Sequence, residues 1–399
     1  MAKILGIGNA VIDQVVLMEH YPQENSESRC ISMTEQLGGN VVNSLTVLAQ
    51  MGHQTDWMGT YTKDLMGQQL LNLMTQQGIN AEPAQYIRQG KTPVSSVWIA
   101  QASASRTINH FRDLPELNFE HFARTEFESY DWLHFEARNT EALMGMLNLA
   151  KCFLTHQPIS LEVEKDRHLL AELIPQASVL FFSQAYAQHL GFDQAETFLK
   201  QMHQQSPHAQ MFCGWGSQGA YAISADGKVF FEAATPDLTI VDTLGAGDTF
   251  NAGVIDALVR GHSTQEALTL ATRLAEKKIQ QKGLTKLFSN DHRIRLGNLN
   301  SLNAYKGNVI QPENLKHSVI VLKYKDTAKA YVNNCPHANV PLDSMYKVEI
   351  DPRALTLKCS VHDAYFNVSD GLCVAGPCHN QSLKAVPITI DDQGNIFLA

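Results

Sequence analysis

Up to about residue 290 the chain alternates short apolar runs of strand type with amphipathic runs of helical period, and beyond Asn308 the helical period does not return. One packed layer system does not serve both patterns, so at least two units are expected. Strand-type runs fall at Ile4–Ile7, Trp132–Phe135, Ile159–Val163, Val179–Phe182 and Met211–Gly214. Helical runs fall at Val41–Met51, Leu65–Gln77, Glu141–Leu154, Glu196–Gln204, Ala246–Arg260 and Thr264–Gln281. Their alternation predicts an α/β unit with a mostly parallel sheet covered by helices on both faces. Ser28–Leu37 and Pro93–Phe111 lack helical periodicity and read as a small antiparallel lid on that sheet. The polar, Asn-rich stretch around 289–307 reads as a linker. After it come only short β segments, among them Val319–Tyr324, Leu355–Lys358 and Ile396–Leu398, which predict a small all-β domain. The expected boundaries are 1–290, a linker at 291–305, and 306–399.

Size and charge agree with two globular units. The chain has 399 residues, 44% hydrophobic and 18% charged. A formal charge of −9 leaves no basic footprint for nucleic acid or an anionic membrane. No apolar run is long enough to span a bilayer, and the N-terminus enters a strand without the layout of a signal peptide. A cytoplasmic protein is expected. Four of the seven cysteines (Cys335, Cys359, Cys373, Cys378) crowd the last hundred residues, which favours a metal site over a disulfide framework.

The sequence Asp242-Thr-Leu-Gly-Ala-Gly-Asp248 stands at the head of a helical run. Its glycines let the amides of Gly245, Ala246 and Gly247 turn outward at a helix N-terminus, where an anion is favoured. Asp248, in the first turn, can take the proton of an attacking hydroxyl. Alone, such a motif is as well read as a plain helix cap. Gly38-Gly39-Asn40-Val-Val-Asn43 adds two amides one turn apart on a helix face, with a glycine allowing close backbone approach. Asp13, after the first strand, adds a carboxylate that can accept hydroxyl protons.

With these motifs, and with Ser105-Arg106-Thr107, Glu136-Ala-Arg-Asn139 and Glu162-Val-Glu-Lys165, residues 1–288 resemble the ribokinase-like, phosphofructokinase-B-type sugar kinases, and within them the ketohexokinase (fructokinase) branch. The resemblance implies sugar contacts at Asp13, Gly39, Asn40 and Asn43, with Asp248 as catalytic base. It implies phosphate contacts at Arg106 and the Gly245–Gly247 amides. The nucleotide side would be the loop with Trp215, Ser217 and Gly219, with Thr272 near the adenine. ATP and Mg²⁺ are implied, potassium often assists such enzymes, and lid-bearing members often pair as homodimers through the lid. Two departures stand out. The branch carries an acidic residue where Ser217 stands, which bears on nucleotide affinity. The wider family's Asn-x-x-Glu motif is replaced by Ser183-Gln-Ala-Tyr186.

Cys335-Pro-His337 and Cys359-Ser-Val-His362 each offer one thiolate and one imidazole. Two Cys and two His can close a zinc tetrahedron. Mixed loops inside an all-β stretch also suit a Rieske 2Fe–2S cluster, which takes two Cys on one iron and two His on the other. With Gly371-Leu-Cys-Val-Ala-Gly-Pro-Cys378, residues 306–399 resemble Rieske ferredoxin domains. Val340 and Val361 stand where respiratory Rieske proteins place an extra disulfide, and Ala364 where a serine would donate to a sulfide. Fewer hydrogen bonds to the sulfurs imply the lower-potential kind. Cys373 and Cys378 read as free thiols or packing residues. The chain is thus read as an ATP-dependent ketohexose kinase joined to a Rieske electron-transfer or redox-sensing domain of unknown redox partner. The alternative is an electron-transfer protein whose kinase-like part only binds a ligand or docks a partner.

Overall fold

The computed structural model describes the chain except residues 104, 155, 286, 289–294, 313–316, 352, 392–393 and 399. It divides into two compact units, Met1–Leu287 and Phe288–Ala399.

The first unit is built on a nine-stranded sheet. From one edge its strands are Val229–Ala233, Gly219–Ile223, Gln210–Gly214, Val179–Phe182, Ile159–Val163, Trp132–Glu136, Lys3–Ile7, Gln54–Met58 and Ile79–Asn80. All neighbours run parallel except the first two pairs, which are antiparallel. The central strands are buried along almost their whole length. That burial is why they read as unbroken apolar runs rather than alternating ones. Leu133, Phe135, Leu161 and Leu180 pack with Phe198 of the Ala195–Gln205 helix in the largest core cluster. On the Asn40–Gln50 helix, Val41, Val42, Leu45, Val47 and Leu48 are all buried.

Between the first sheet strand and the next, the chain leaves the main sheet altogether. Val11–Met18 pairs antiparallel with Ser32–Gly38 and parallel with Val94–Ala100, which pairs antiparallel with Ser105–Phe111. This four-stranded sheet contains the two stretches expected as a lid. One of its two inner strands, Val11–Met18, has no counterpart in the sequence reading. Only Gly8, Asn9 and Ala10 separate it from the first strand, so two strands in different sheets read as one segment.

The second unit contains three small antiparallel sheets. Asn308–Ile310 pairs with Val319–Tyr324, which pairs with Thr327–Val332. A four-stranded sheet joins Ile350–Asp351, Thr356–Lys358, Tyr365–Asn367 and Cys373–Ala375. In the third, the closing strand Asn395–Leu398 lies between Ile388–Ile390 and Arg295–Asn298. This corrects the linker expected at 291–305. Residues 291–294 lie outside the described residues, but Arg295–Asn298 is a strand, and Leu296 and Leu302 are buried with Val319, Val321 and Ile396. Its Asn content misled because Asn298 serves the fold: its amide donates to Asn395 Oδ1 at 3.1 Å and its Oδ1 accepts from the Asn300 amide at 3.0 Å. Among the described residues no helix is long and apolar enough to cross a membrane.

Candidate functional site

A cleft of about 900 Å³ opens in the first unit. Its floor includes Glu136, Glu162, Val163 and Phe182, at or near the carboxyl ends of parallel strands. Ligands of open α/β sheets bind at such ends.

The Ala246–Val259 helix begins beside this cleft. Its N-cap Gly245 has φ of 78°, a left-handed conformation that favours glycine. Asp248 is buried in the first turn. Asn43 Nδ2 donates to Asp248 Oδ2 at 2.7 Å, and Ser44 Oγ donates to the Asp248 carbonyl at 3.0 Å. Burial raises the Asp248 carboxyl to about 7; the Asn43 amide opposes this, while Glu164, Glu136 and Asp13 add to it. The group therefore sits where it can accept a proton near neutrality.

Gly39 precedes the Asn40–Gln50 helix at φ of 106°, and a Cβ there would fall 2.3 Å from the Asn9 carbonyl oxygen. Only glycine lets the chain pass so close. The two amides, one turn apart on the helix face, are held by different carboxylates. Asn43 binds Asp248, while Asn40 Nδ2 donates to Glu162 Oε1 at 3.1 Å and to Glu164 Oε2 at 3.2 Å. Asp13 is buried, and burial raises its carboxyl to about 6 against a hydrogen bond with Ser95 and the charge of Arg106. Asp13, Gly39, Asn40, Asn43, Arg106 and Asp248 all line the cleft. The Gly245, Ala246 and Gly247 turn lines it as well.

Ser217, Gly219 and Thr272 also line it. Trp215 does not, which corrects its expected place among the nucleotide contacts. Its side chain is buried in the main apolar core, and its amide donates to the Gly219 carbonyl at 2.7 Å. It anchors the loop from beneath.

The sequence reading missed a carboxylate cluster. Glu162 is buried and Glu136 half-buried, and desolvation raises both carboxyls. For Glu162 the charges of Asp248, Glu136 and Glu164 add to the effect, and its Oε2 has no hydrogen-bond partner among the described residues. The available signal was positional: Glu136 ends one parallel strand, Glu162 is the last residue but one of its neighbour, and Glu164 lies just past that strand. Magnesium takes one or two carboxylates, with phosphate oxygens and water completing its shell. Glu162 and Glu164 supply such a pair at the cleft, and the orphaned Glu162 oxygen suits a cation. In the wider family's Asn-x-x-Glu region, Tyr186 is instead buried and stacks on Phe182.

In the second unit two loops have the same construction. The Cys335 amide donates to the carbonyl five residues on, Val340, at 2.8 Å; the Cys359 amide does the same to Ala364 at 2.9 Å. Each turn closes through a residue of positive φ one position earlier, Asn339 at 52° and Asp363 at 54°. Both thiols are fully buried, while both imidazoles are exposed, with ring centroids 4.9 Å apart. Burial pushes the Cys335 thiol up, and hydrogen bonds from the His337 and Ala338 amides pull it down. Asn333 braces the first loop, accepting from the Leu342 amide at 2.8 Å and donating to Asp343 at 2.7 Å. Among the described residues no three His, Cys, Asp or Glu surround a single metal ion. A 2Fe–2S cluster needs only two protein ligands per iron, with sulfur inside and imidazole outside, and the four residues fit it. Cys373 and Cys378 are buried free thiols with sulfurs 3.2 Å apart.

Compared with known families, residues 1–291 match the pfkB family carbohydrate kinases and residues 294–388 match the Rieske 2Fe–2S domain. The chain is 34% identical over 289 residues to ketohexokinase of Mus musculus, covering 70% of this chain and 97% of that protein. It is 25% identical over 287 residues to ribokinase of Bacillus subtilis, covering 70% and 93%. The solved structure of Arabidopsis thaliana ribokinase complexed with ribose and ATP superposes with a TM-score of 0.60 at 20% identity, covering 71% of this chain and 94% of that one. At that identity the likeness is one of fold, and the fold is ribokinase-like.

Proposed function

Because the chain belongs to the pfkB family of carbohydrate kinases and carries a Rieske 2Fe–2S domain behind the kinase, we propose that it transfers the γ-phosphoryl group of ATP to the C1 hydroxyl of a ketohexose of fructose type. The observation that carries this reading is Asp248: a buried carboxylate raised to about 7, held by Asn43 at 2.7 Å, in the first turn behind the anion-binding amides. The likeness to mouse ketohexokinase supports the choice of sugar.

Asp13, Asn40 and Asn43 bind and orient the sugar hydroxyls. Asp248 takes the proton of the attacking hydroxyl, and the amides from Gly245 to Gly247 hold the charge that gathers on the transferred group. Arg106 meets the phosphates, and the Ser217–Gly219 loop with Thr272 holds the nucleoside. Glu162 and Glu164 would hold a magnesium ion, which when bound would supply charge to offset that of the phosphates. Cys335, Cys359, His337 and His362 would hold the 2Fe–2S cluster, which when bound would supply one-electron chemistry, and both imidazoles are exposed to a partner. The protein works in the cytoplasm. Two copies pair through the lid, where Ile31, Met33, Trp98, Ile108 and Phe111 are exposed.

The test is ATP consumption by the full-length protein against a panel of ketoses, aldoses and nucleosides, with Asp248→Asn alongside. Turnover best with fructose and lost in the variant supports the reading. No turnover with any sugar, in a protein that keeps its cluster, leaves the kinase unit as a binding module.

A further inference from the structure

One fully buried cation has no task in this reaction. Lys278, on the last turn of the Thr264–Ile279 helix, is 0% exposed. Lysine is rarely buried so completely unless its charge is paired. Its Nζ donates to the Asp242 carbonyl at 2.9 Å and to Asp242 Oδ2 at 3.0 Å.

Asp242 is where the anion turn starts. Its Oδ1 accepts from the Leu244 amide at 2.9 Å and its Oδ2 from the Gly283 amide at 3.0 Å. The Val241 and Asp242 amides both donate to the Ile279 carbonyl, at 2.7 and 3.1 Å. The chain then passes through left-handed Gly245 to the amides that face the cleft. Lys278 therefore ties the end of one helix to the foot of the turn that starts another. A carboxylate oxygen and a main-chain carbonyl converging on one point are the donors a bare monovalent cation would seek. Here the chain's own ammonium has taken them.

We propose that Lys278 is a built-in cation that positions the anion turn, so that phosphoryl transfer needs no potassium or other dissolved monovalent ion. This rests on the kinase reading for its rate arm, and on the geometry alone for its stability arm. The resemblance to potassium-assisted kinases implies the opposite, so the two expectations separate cleanly.

The experiment uses the full-length, cluster-containing protein in potassium, ammonium or choline chloride at equal ionic strength. Wild-type turnover with the best sugar of the panel is expected to be the same in all three. Lys278→Ala should lose kcat by on the order of a hundredfold through misaimed amides, with a much smaller change in sugar KM. Potassium or ammonium should restore part of that rate, and choline none. In melting curves the wild type should ignore the salt, and potassium or ammonium should raise the midpoint of Lys278→Ala over choline. The double variant Lys278→Met/Asp242→Asn removes both charges and so avoids an orphaned one. It should fold, stay slow and ignore all three salts. A wild type that needs potassium for rate or stability overturns the proposal. So does wild-type kcat in either variant. If no sugar is turned over at all, the melting arm still decides.

Discussion

Replacing the proposed general base should stabilise the protein. Asp248 is buried among Glu164, Glu136 and Asp13, and its carboxyl rises from 3.8 to about 7. In the folded state it keeps its proton until about pH 7, whereas in the unfolded chain it loses it near 3.8. The folded form is thus penalised progressively as pH rises from about 4 to about 7, and uniformly above that. A rise of about three pH units corresponds to a ceiling of about 4 kcal/mol. Asp248→Asn removes the charge and keeps the volume, but its amide must share the position with that of Asn43, and the other carboxylates relax once it is neutral. A net gain of about 1–2 kcal/mol at pH 8 is expected, or a few degrees of melting midpoint for a unit of this size. The assay is thermal unfolding of the ligand-free protein by far-ultraviolet circular dichroism at pH 5 and pH 8. The variant should melt above wild type at pH 8, by a margin that shrinks at pH 5. A variant no more stable than wild type at pH 8, or a margin indifferent to pH, would refute the burial argument. The same substitution should lower kcat by about 10²–10⁴, so stability and activity move in opposite directions.

Other outcomes are as specific. The kinase rate should rise with pH along a limb whose midpoint lies near 7, set by Asp248 within its carboxylate cluster; a midpoint below 5 would contradict the raised carboxyl. Gly245→Ala should cost about 1–2 kcal/mol in denaturant unfolding, because its φ is 78° and the new Cβ would lie 3.3 Å from Leu284. Trp215→Ala should destabilise the first unit by about 3–5 kcal/mol, in keeping with a core residue; a variant of unchanged stability with lost ATP affinity would return Trp215 to the nucleotide site. Cys335→Ser should remove the visible absorption and the spin signal of the reduced cluster, and a variant retaining both would show that Cys335 is not a ligand.

What the sequence disclosed depended on whether one position answered one local demand. Trp132–Phe135 and Ile159–Val163 were readable because strands buried on both faces need apolar residues throughout. Gly245, Asp248 and the Cys–His loops were readable because a left-handed cap, an acidic residue in the first helical turn and paired turns of one construction are local in sequence. Val11–Met18 was hidden by its three-residue junction with the preceding strand. Arg295–Asn298 was hidden because its partner, Asn395–Leu398, lies a hundred residues away, and only that pairing makes its asparagines structural. Glu136, Glu162 and Glu164 come from strand ends and a following loop, and nothing in their spacing says that they meet at one cleft. Trp215 stands in a loop of small residues that reads as a ligand contact, yet its ring turns inward.

The pairing of Arg295–Asn298 with the closing strand has a consequence for heredity. A domain whose first and last strands lie side by side carries its own clasp, and its entry and exit are fastened without help from whatever chain leads into it. A cut made ahead of Arg295 would carry both halves of that clasp along with the module. A boundary drawn at residue 306 would leave half of the clasp behind.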